Sequence, residues 1–209
     1  ILSDVQGKPA VKSDFVKVYF MLDSNYATFS PELKGFAANE FPYLQYKTSL
    51  DEGKWDFLER TVTMTAPENN DIDQSFFYST HPEQDSLVFN ASKAVYSMDS
   101  LTLHVTGVPF VVVADGKIYP DQNEMFIKEN ARLMPLNNVK IVMDTINEFH
   151  HLYDGNINIL SRSKFTGDAK YSYVNISGDS LYIKFNSFDL VETQVSKKET
   201  ETHTVSQGL

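Results

Sequence analysis

Between residues 101 and 127 the chain reads LTLHVTGVPFVVVADGKIYPDQNEMFI, three short apolar strings broken by Gly-Val-Pro, Ala-Asp-Gly and Pro-Asp-Gln-Asn. Each break holds residues that turn a backbone: glycine reaches positive φ, proline fixes φ, and Asp and Asn bond their own main chain. The strings between the breaks are too short for ordinary helices and have the length of strands. Leu101, Leu103 and Val105 alternate with Thr102, His104 and Thr106, as a strand with one buried face requires. Residues 110–114 are apolar at every position and are expected to be the most buried strand, covered on both faces.

The same grammar runs through most of the chain. FVKVYFML at 15–22 puts Val16, Val18, Phe20 and Leu22 on one face. Further strands are predicted at 43–50, 55–57, 62–65, 76–79, 87–90, 94–98, 101–105, 110–114, 117–119, 125–128, 131–133, 139–144, 156–160, 169–174 and 181–190. Asp115-Gly116, Asn137-Asn138, Asp154-Gly155, Gly167-Asp168 and Gly178-Asp179 supply turn chemistry among them. Ser30-Pro31-Glu32 offers an N-cap, a first-turn proline and an acid, and predicts one short helix near 31–39. A small or branched residue, a polar one and an apolar one recur as Gly116-Lys117-Ile118, Ala131-Arg132-Leu133, Val139-Lys140-Ile141 and Gly155-Asn156-Ile157. Their spacing lies close to multiples of about 7.5 residues, as stacked rungs would give. The fold read from these patterns is all-β: an elongated solenoid-like or folded-over (taco or jelly-roll-like) antiparallel sheet, with a β-sandwich as the alternative. A single domain is expected over 15–192, between a lead-in at 1–14 and a polar tail or linker at 193–209.

Composition supports sheet and removes several functions. Fifteen Phe, 11 Tyr and one Trp make 13% of the chain, and such side chains suit a pleated, half-buried surface. The formal net charge is −10, and no basic cluster exceeds Lys197-Lys198, which argues against nucleic acid as a partner. Cysteine is absent, so disulfides, thiolate metal sites and a cysteine nucleophile are excluded. No apolar run approaches the roughly 18 residues of a membrane helix. The start at Ile1 and the polar end read as those of a segment from a longer protein.

No catalytic, metal or cofactor signature stands out. His81, His104, His150, His151 and His203 have no metal-ligand spacing, and His150-His151 would point to opposite faces of a strand. Ser79, His81 and Asp85 are neighbours in YSTHPEQDS, but triads are assembled from distant segments and no nucleophile elbow is present. The acids from Glu68 to Asp73 lack the glycine and terminal glutamate of a calcium loop; they read as a solvated loop, with weak calcium binding as the competing reading. Arg60, Arg132 and Arg162 stand alone, with no glycine-rich loop to cradle a phosphate. Tyr43, Tyr46, Trp55, Tyr96 and Tyr119 would make a sugar-stacking platform if they shared an exposed face; otherwise they fill the core or ladder between strands. No cofactor is expected, and a non-enzymatic role is favoured over a carbohydrate-active enzyme.

The stretch AVYSMDSLTLHVTGVPFVVVADGKIYPDQNEMFIKENARL resembles segments of very large envelope proteins of Bacteroidota. The likeness rests on Ala94, Tyr96, Leu101, Leu103, Gly107-Val108-Pro109, Val113-Ala114-Asp115, Ile118 and Pro120-Asp121. YSTHPEQDSLVFNASKA upstream and FHHLYDGNINILSRSKFTGDAKYSYVN downstream resemble the same context, so the likeness spans about residues 43–192. More distantly, the rung style is similar to the OstA-like bridge domains of lipopolysaccharide transport, whose folded sheet holds acyl chains in its crease. The resemblance implies a structural or binding segment of an exported protein, in the periplasm or outer envelope. It implies neighbouring β modules as partners, and lipid, glycolipid or glycan as ligands.

Overall fold

Alternation decides which side of each strand faces inward, and the outcome in the computed structural model is two antiparallel layers facing each other across an apolar interior. The structure describes residues 7–14, 16–32, 39–66, 71–144, 146, 150–174 and 178–191. The chain lays its strands down two at a time. β1 (Lys12–Ser13) starts the first layer, and β2 (Val16–Met21) with β3 (Tyr26–Pro31) makes a hairpin in the second. β4 (Asn39–Phe41) and β5 (Tyr46–Thr48) return to the first layer; β6 (Glu52–Asp56) and β7 (Thr61–Thr65) lie in the second. The alternation continues with β8 (Phe76–Ser79) and β9 (Val88–Asn90), then β10 (Lys93–Ser97) and β11 (Thr102–Thr106). β12 (Val111–Val113) and β13 (Gly116–Tyr119) follow in the first layer, and β14 (Glu124–Ile127) ends the second. This is the all-β antiparallel architecture that the short strands and frequent breaks predict, two facing sheets that fit a folded-over sheet and the alternative sandwich alike. Among the described residues there is no α-helix, and no helix long and apolar enough to cross a membrane.

Four longer strands complete the first sheet: β15 (Leu136–Met143), β16 (His150–Ser161), β17 (Lys164–Val174) and β18 (Ser180–Val191). Their pairing is interrupted between Leu136 and Val139, between Tyr153 and Asn156, and between Gly167 and Ala169. Bulges bend strands; the break in β15 falls at its start, and those in β16 and β17 fall inside the strands. Gly155 and Gly167 sit there because a Cβ would run into Val139 and into the Asn156–Ile157 backbone, respectively. The bend brings the far end of the β16–β17 hairpin back over the interior. Phe165 packs beside Gly116, and the Ala114 amide donates to the Arg162 carbonyl at 2.8 Å.

The interior is filled from β4 to β14. Phe41, Tyr46, Phe77, Val62, Met64, Tyr96, Leu103 and Met125 are all fully buried. Phe77 stacks on Phe89 at 5.5 Å, and Phe41 meets Tyr96 of the opposite layer at 6.0 Å. Tyr46 Oη donates to Gln84 Oε1 at 2.6 Å, and Gln84 Nε2 donates to the Ala131 carbonyl at 2.5 Å, so these two buried side chains are paired. Burial pushes the Tyr46 phenol above its ordinary pKa despite these bonds.

Several expectations need correction. Residues 10–13 are no passive lead-in: Ala10 and Val11 are buried, β1 pairs with β4, and the Ser13 hydroxyl bonds Asn39. Pro31 ends a strand and Asn39 begins one, while 33–38 of the expected helix lie outside the described residues. Residues 110–114 are not covered on both faces: Val111 and Val113 are buried, whereas Val112 is 42% exposed, because each layer has only one inner face. Residues 193–209 lie outside the described residues.

Candidate functional site

The interior that is packed through the middle of the molecule opens at its ends. At the C-terminal end, Met143, His150, Leu152, Tyr171, Phe185 and Phe188 line a pocket of about 420 Å³ with almost no polar surface. Register explains the convergence: Ile141, Leu152, Tyr171 and Ile183 stand opposite one another across β15 to β18, all on the inner face. Phe188 closes one wall by meeting the Phe165 ring edge-on at 5.7 Å. The polar exception is His150, whose Nδ1 lies 3.0 Å from the Tyr171 hydroxyl. An arrangement of this kind excludes water and recognises shape and apolarity, with one hydrogen-bonding pair to orient a polar end.

β18 is the last strand of its sheet, so one edge of its 12 residues has no strand beside it among the described residues. Its inner row of Leu181, Ile183 and Phe185 stays 57%, 38% and 39% exposed. At the opposite end, Val18 and Phe20 of edge strand β2 face the interior and are likewise exposed. Edge strands of closed, solitary domains usually carry inward charges, prolines or a covering segment. Here both inward rows are apolar.

The aromatics singled out by sequence do not converge. Tyr46 and Tyr96 are fully buried in the core, and Trp55 faces inward near the β2 end, edge-on to Phe57 at 4.9 Å. Tyr43 packs against the core from a turn, with the Lys8 ammonium 5.2 Å from its ring centroid. Tyr119 lies on the outer face, in register with Lys140. They fill and ladder the sheet and make no shared exposed platform. Ser79, His81 and Asp85 build a turn: the Ser79 hydroxyl accepts from the His81 amide at 3.3 Å, and His81 Nδ1 accepts from the Glu83 amide at 3.2 Å. Asp85 closes the same 3₁₀ turn in a left-handed conformation. His150 and His151 point to opposite faces, the first into the end pocket and the second beside Val142. Of the acidic loop, Asp71 caps a 3₁₀ turn that contains Asp73, and residues 67–70 lie outside the described residues. Among the described residues, no three His, Asp or Glu side chains converge as metal ligands.

The end pocket and the open β18 edge were not singled out from sequence. The available signal was the alternation of Leu181, Ile183 and Phe185, which marks a one-sided strand but not what lies beside it. No protein-family model, curated protein or solved structure matches the chain.

Proposed function

We propose that this chain is a non-enzymatic binding segment of a bacterial cell-envelope protein, joining neighbouring β modules through the unsealed ends of its folded-over sheet. The observation that carries this reading is β18, a 12-residue edge strand with an exposed apolar inner row. Such an edge offers main-chain hydrogen bonds for affinity and alternate side-chain pockets for register, the chemistry of strand addition. The test is sedimentation equilibrium of the chain up to millimolar concentration, alongside Leu181→Lys/Ile183→Lys. Association that rises with concentration and is lost in the double variant is expected. A strict monomer whose β18 amides exchange as slowly as those of β17 would refute the reading, because its edge would already be sealed.

A second use of the same end is favoured by the pocket itself, which suits the apolar part of an amphipathic ligand such as a lipid or glycolipid. The interior from β4 to β14 is filled by its own side chains, which places such a ligand at the end pocket. Native mass spectrometry of the purified protein checks it: an adduct of acyl-lipid mass, lost in Phe185→Asp, is expected. A bare chain after incubation with lipid micelles would overturn it.

A further inference from the structure

The outer faces of the two layers differ in charge. In the second layer, Lys17 lies near Glu32 at 4.0 Å, Lys54 near Asp56 at 3.6 Å and His104 near Glu124 at 3.0 Å, and Lys93 of β10 is exposed. In the first layer, the strands from β13 to β18 carry Lys117, Lys140, Lys164, Lys170 and Lys184 outward, together with Asp154, which pairs with Lys170 at 2.8 Å, and Asp168, which accepts from Asn156 Nδ2 at 3.1 Å. Among the described residues, Lys140 and Lys184 have no carboxylate within ion-pair distance. These strands span four inter-strand spacings, about 19 Å. On this outer face of a chain of net charge −10, lysines therefore outnumber carboxylates among the described side chains.

The lysines are interleaved with rings. Register places Tyr119 beside Lys140, and Tyr153 beside Lys170, which in turn faces Lys184. The Lys140 ammonium lies 5.6 Å from the Tyr119 ring centroid. Tyr153 is 43% exposed and Tyr182, on the edge strand, 78%. Val112 stands in register with Lys117 and is also half open to solvent.

We propose that this outer face lies against the surface of an anionic lipid bilayer. Lysine stems carry their charge to the phosphate level, and exposed tyrosines are at home in the headgroup layer. Lysines spread over one face suit a surface of many phosphates better than a single bound anion. The half-exposed Val112 among the lysines gains nothing from a hydrated polysaccharide. With this face on the membrane, the acid-rich remainder of the chain points away from it, so the overall negative charge orients the molecule. The docked face is distinct from the end pocket and the β18 inner row.

Vesicle flotation tests this with the intact chain, comparing pure phosphatidylcholine with a phosphatidylcholine–phosphatidylglycerol mixture at low and high salt. Binding to the anionic vesicles alone, lost at high salt, is expected. Each lysine near such a surface is worth about fivefold in affinity, so Lys140→Gln/Lys184→Gln should weaken binding about 25-fold. The control Lys17→Gln/Lys54→Gln on the other layer should leave it unchanged. Unaltered circular dichroism in both variants keeps the comparison independent of folding. Equal binding to neutral and anionic vesicles, equal loss in the control, or capture by heparin without vesicle binding would each overturn the proposal.

Discussion

The bend in the long strands can be tested by coupling two residues that a flat sheet would keep apart. Gly116 is on β13 and Phe165 on β17, three strand spacings away in the sheet order, or about 14 Å if the sheet were flat. In the folded-over structure, a Cβ on Gly116 would stand 3.4 Å from the Phe165 ring and 3.3 Å from Met143 Sδ. Gly116 does not have a positive φ, so a side chain there meets packing and no backbone strain. Gly116→Val forces an isopropyl group into filled space, at a cost of about 1–3 kcal/mol. Relief of glycine's extra unfolded-state entropy offsets about 0.5–1 kcal/mol of that. Phe165→Leu removes ring atoms from a fully buried site and should cost about 1–2 kcal/mol. If the two side chains compete for one volume, the double variant recovers part of both losses. Contacting residues typically couple by about 0.5–3 kcal/mol, and at least ~1 kcal/mol is expected here. Urea unfolding followed by far-ultraviolet circular dichroism and by the fluorescence of Trp55, the single tryptophan, gives the four stabilities. Additivity within about 0.5 kcal/mol would refute the fold-over, because residues that far apart do not couple.

Two further outcomes follow from the buried and turn hydrogen bonds. Tyr46→Phe leaves the Gln84 side-chain oxygen without the 2.6 Å bond it accepts, and should lower stability by about 1–3 kcal/mol in the same assay. Asp56 accepts from the Glu59 and Leu58 amides at 3.0 and 3.2 Å in the β6–β7 turn, which holds its carboxyl below the usual range. A lowered folded-state pKa means that the contribution is present above the unfolded value of about 3.9 and disappears as pH falls through the folded one. Asp56→Asn should therefore flatten that part of the acid limb of the stability curve, and an unchanged limb in pH-dependent urea titrations would contradict the assignment.

The strands of the middle of the chain were legible because each obeys a local rule. Val62 and Met64 point inward with Thr63 between them, Leu103 and Val105 with His104 between them, and the observed strands match the alternation closely. β3 was missed for an equally local reason. Ser30-Pro31-Glu32 carries helix-start chemistry, yet Pro31 sits at the last position of β3, beyond the Phe29–Gly53 pair, where no donor to β6 is needed. Gly53 itself was silent in sequence, although the Phe29 ring occupies the space its side chain would take. Val112 was misjudged because three consecutive valines look buried from either side, while a two-layer fold has solvent behind every layer.

The candidate surfaces were not legible, because none of them is a property of a local string. Lys117, Lys140, Lys170 and Lys184 are scattered through a chain that reads as acidic throughout, and only strand order and register gather them on one face. The same holds for the end pocket: Met143, Leu152, Tyr171 and Phe185 come from four strands, and each alone is an ordinary core residue. What makes them a site is the absence of a further strand beside β18 among the described residues, and openness leaves no mark on the residues that border it. Composition sharpened this only in one direction. A core sealed at both ends would place charges on its edge rows, whereas Val18 and Phe20 at one end and Leu181, Ile183 and Phe185 at the other are all apolar. An apolar row left exposed at both ends of a filled sheet costs solubility unless something covers it, so the ends are where a partner has most to gain by binding.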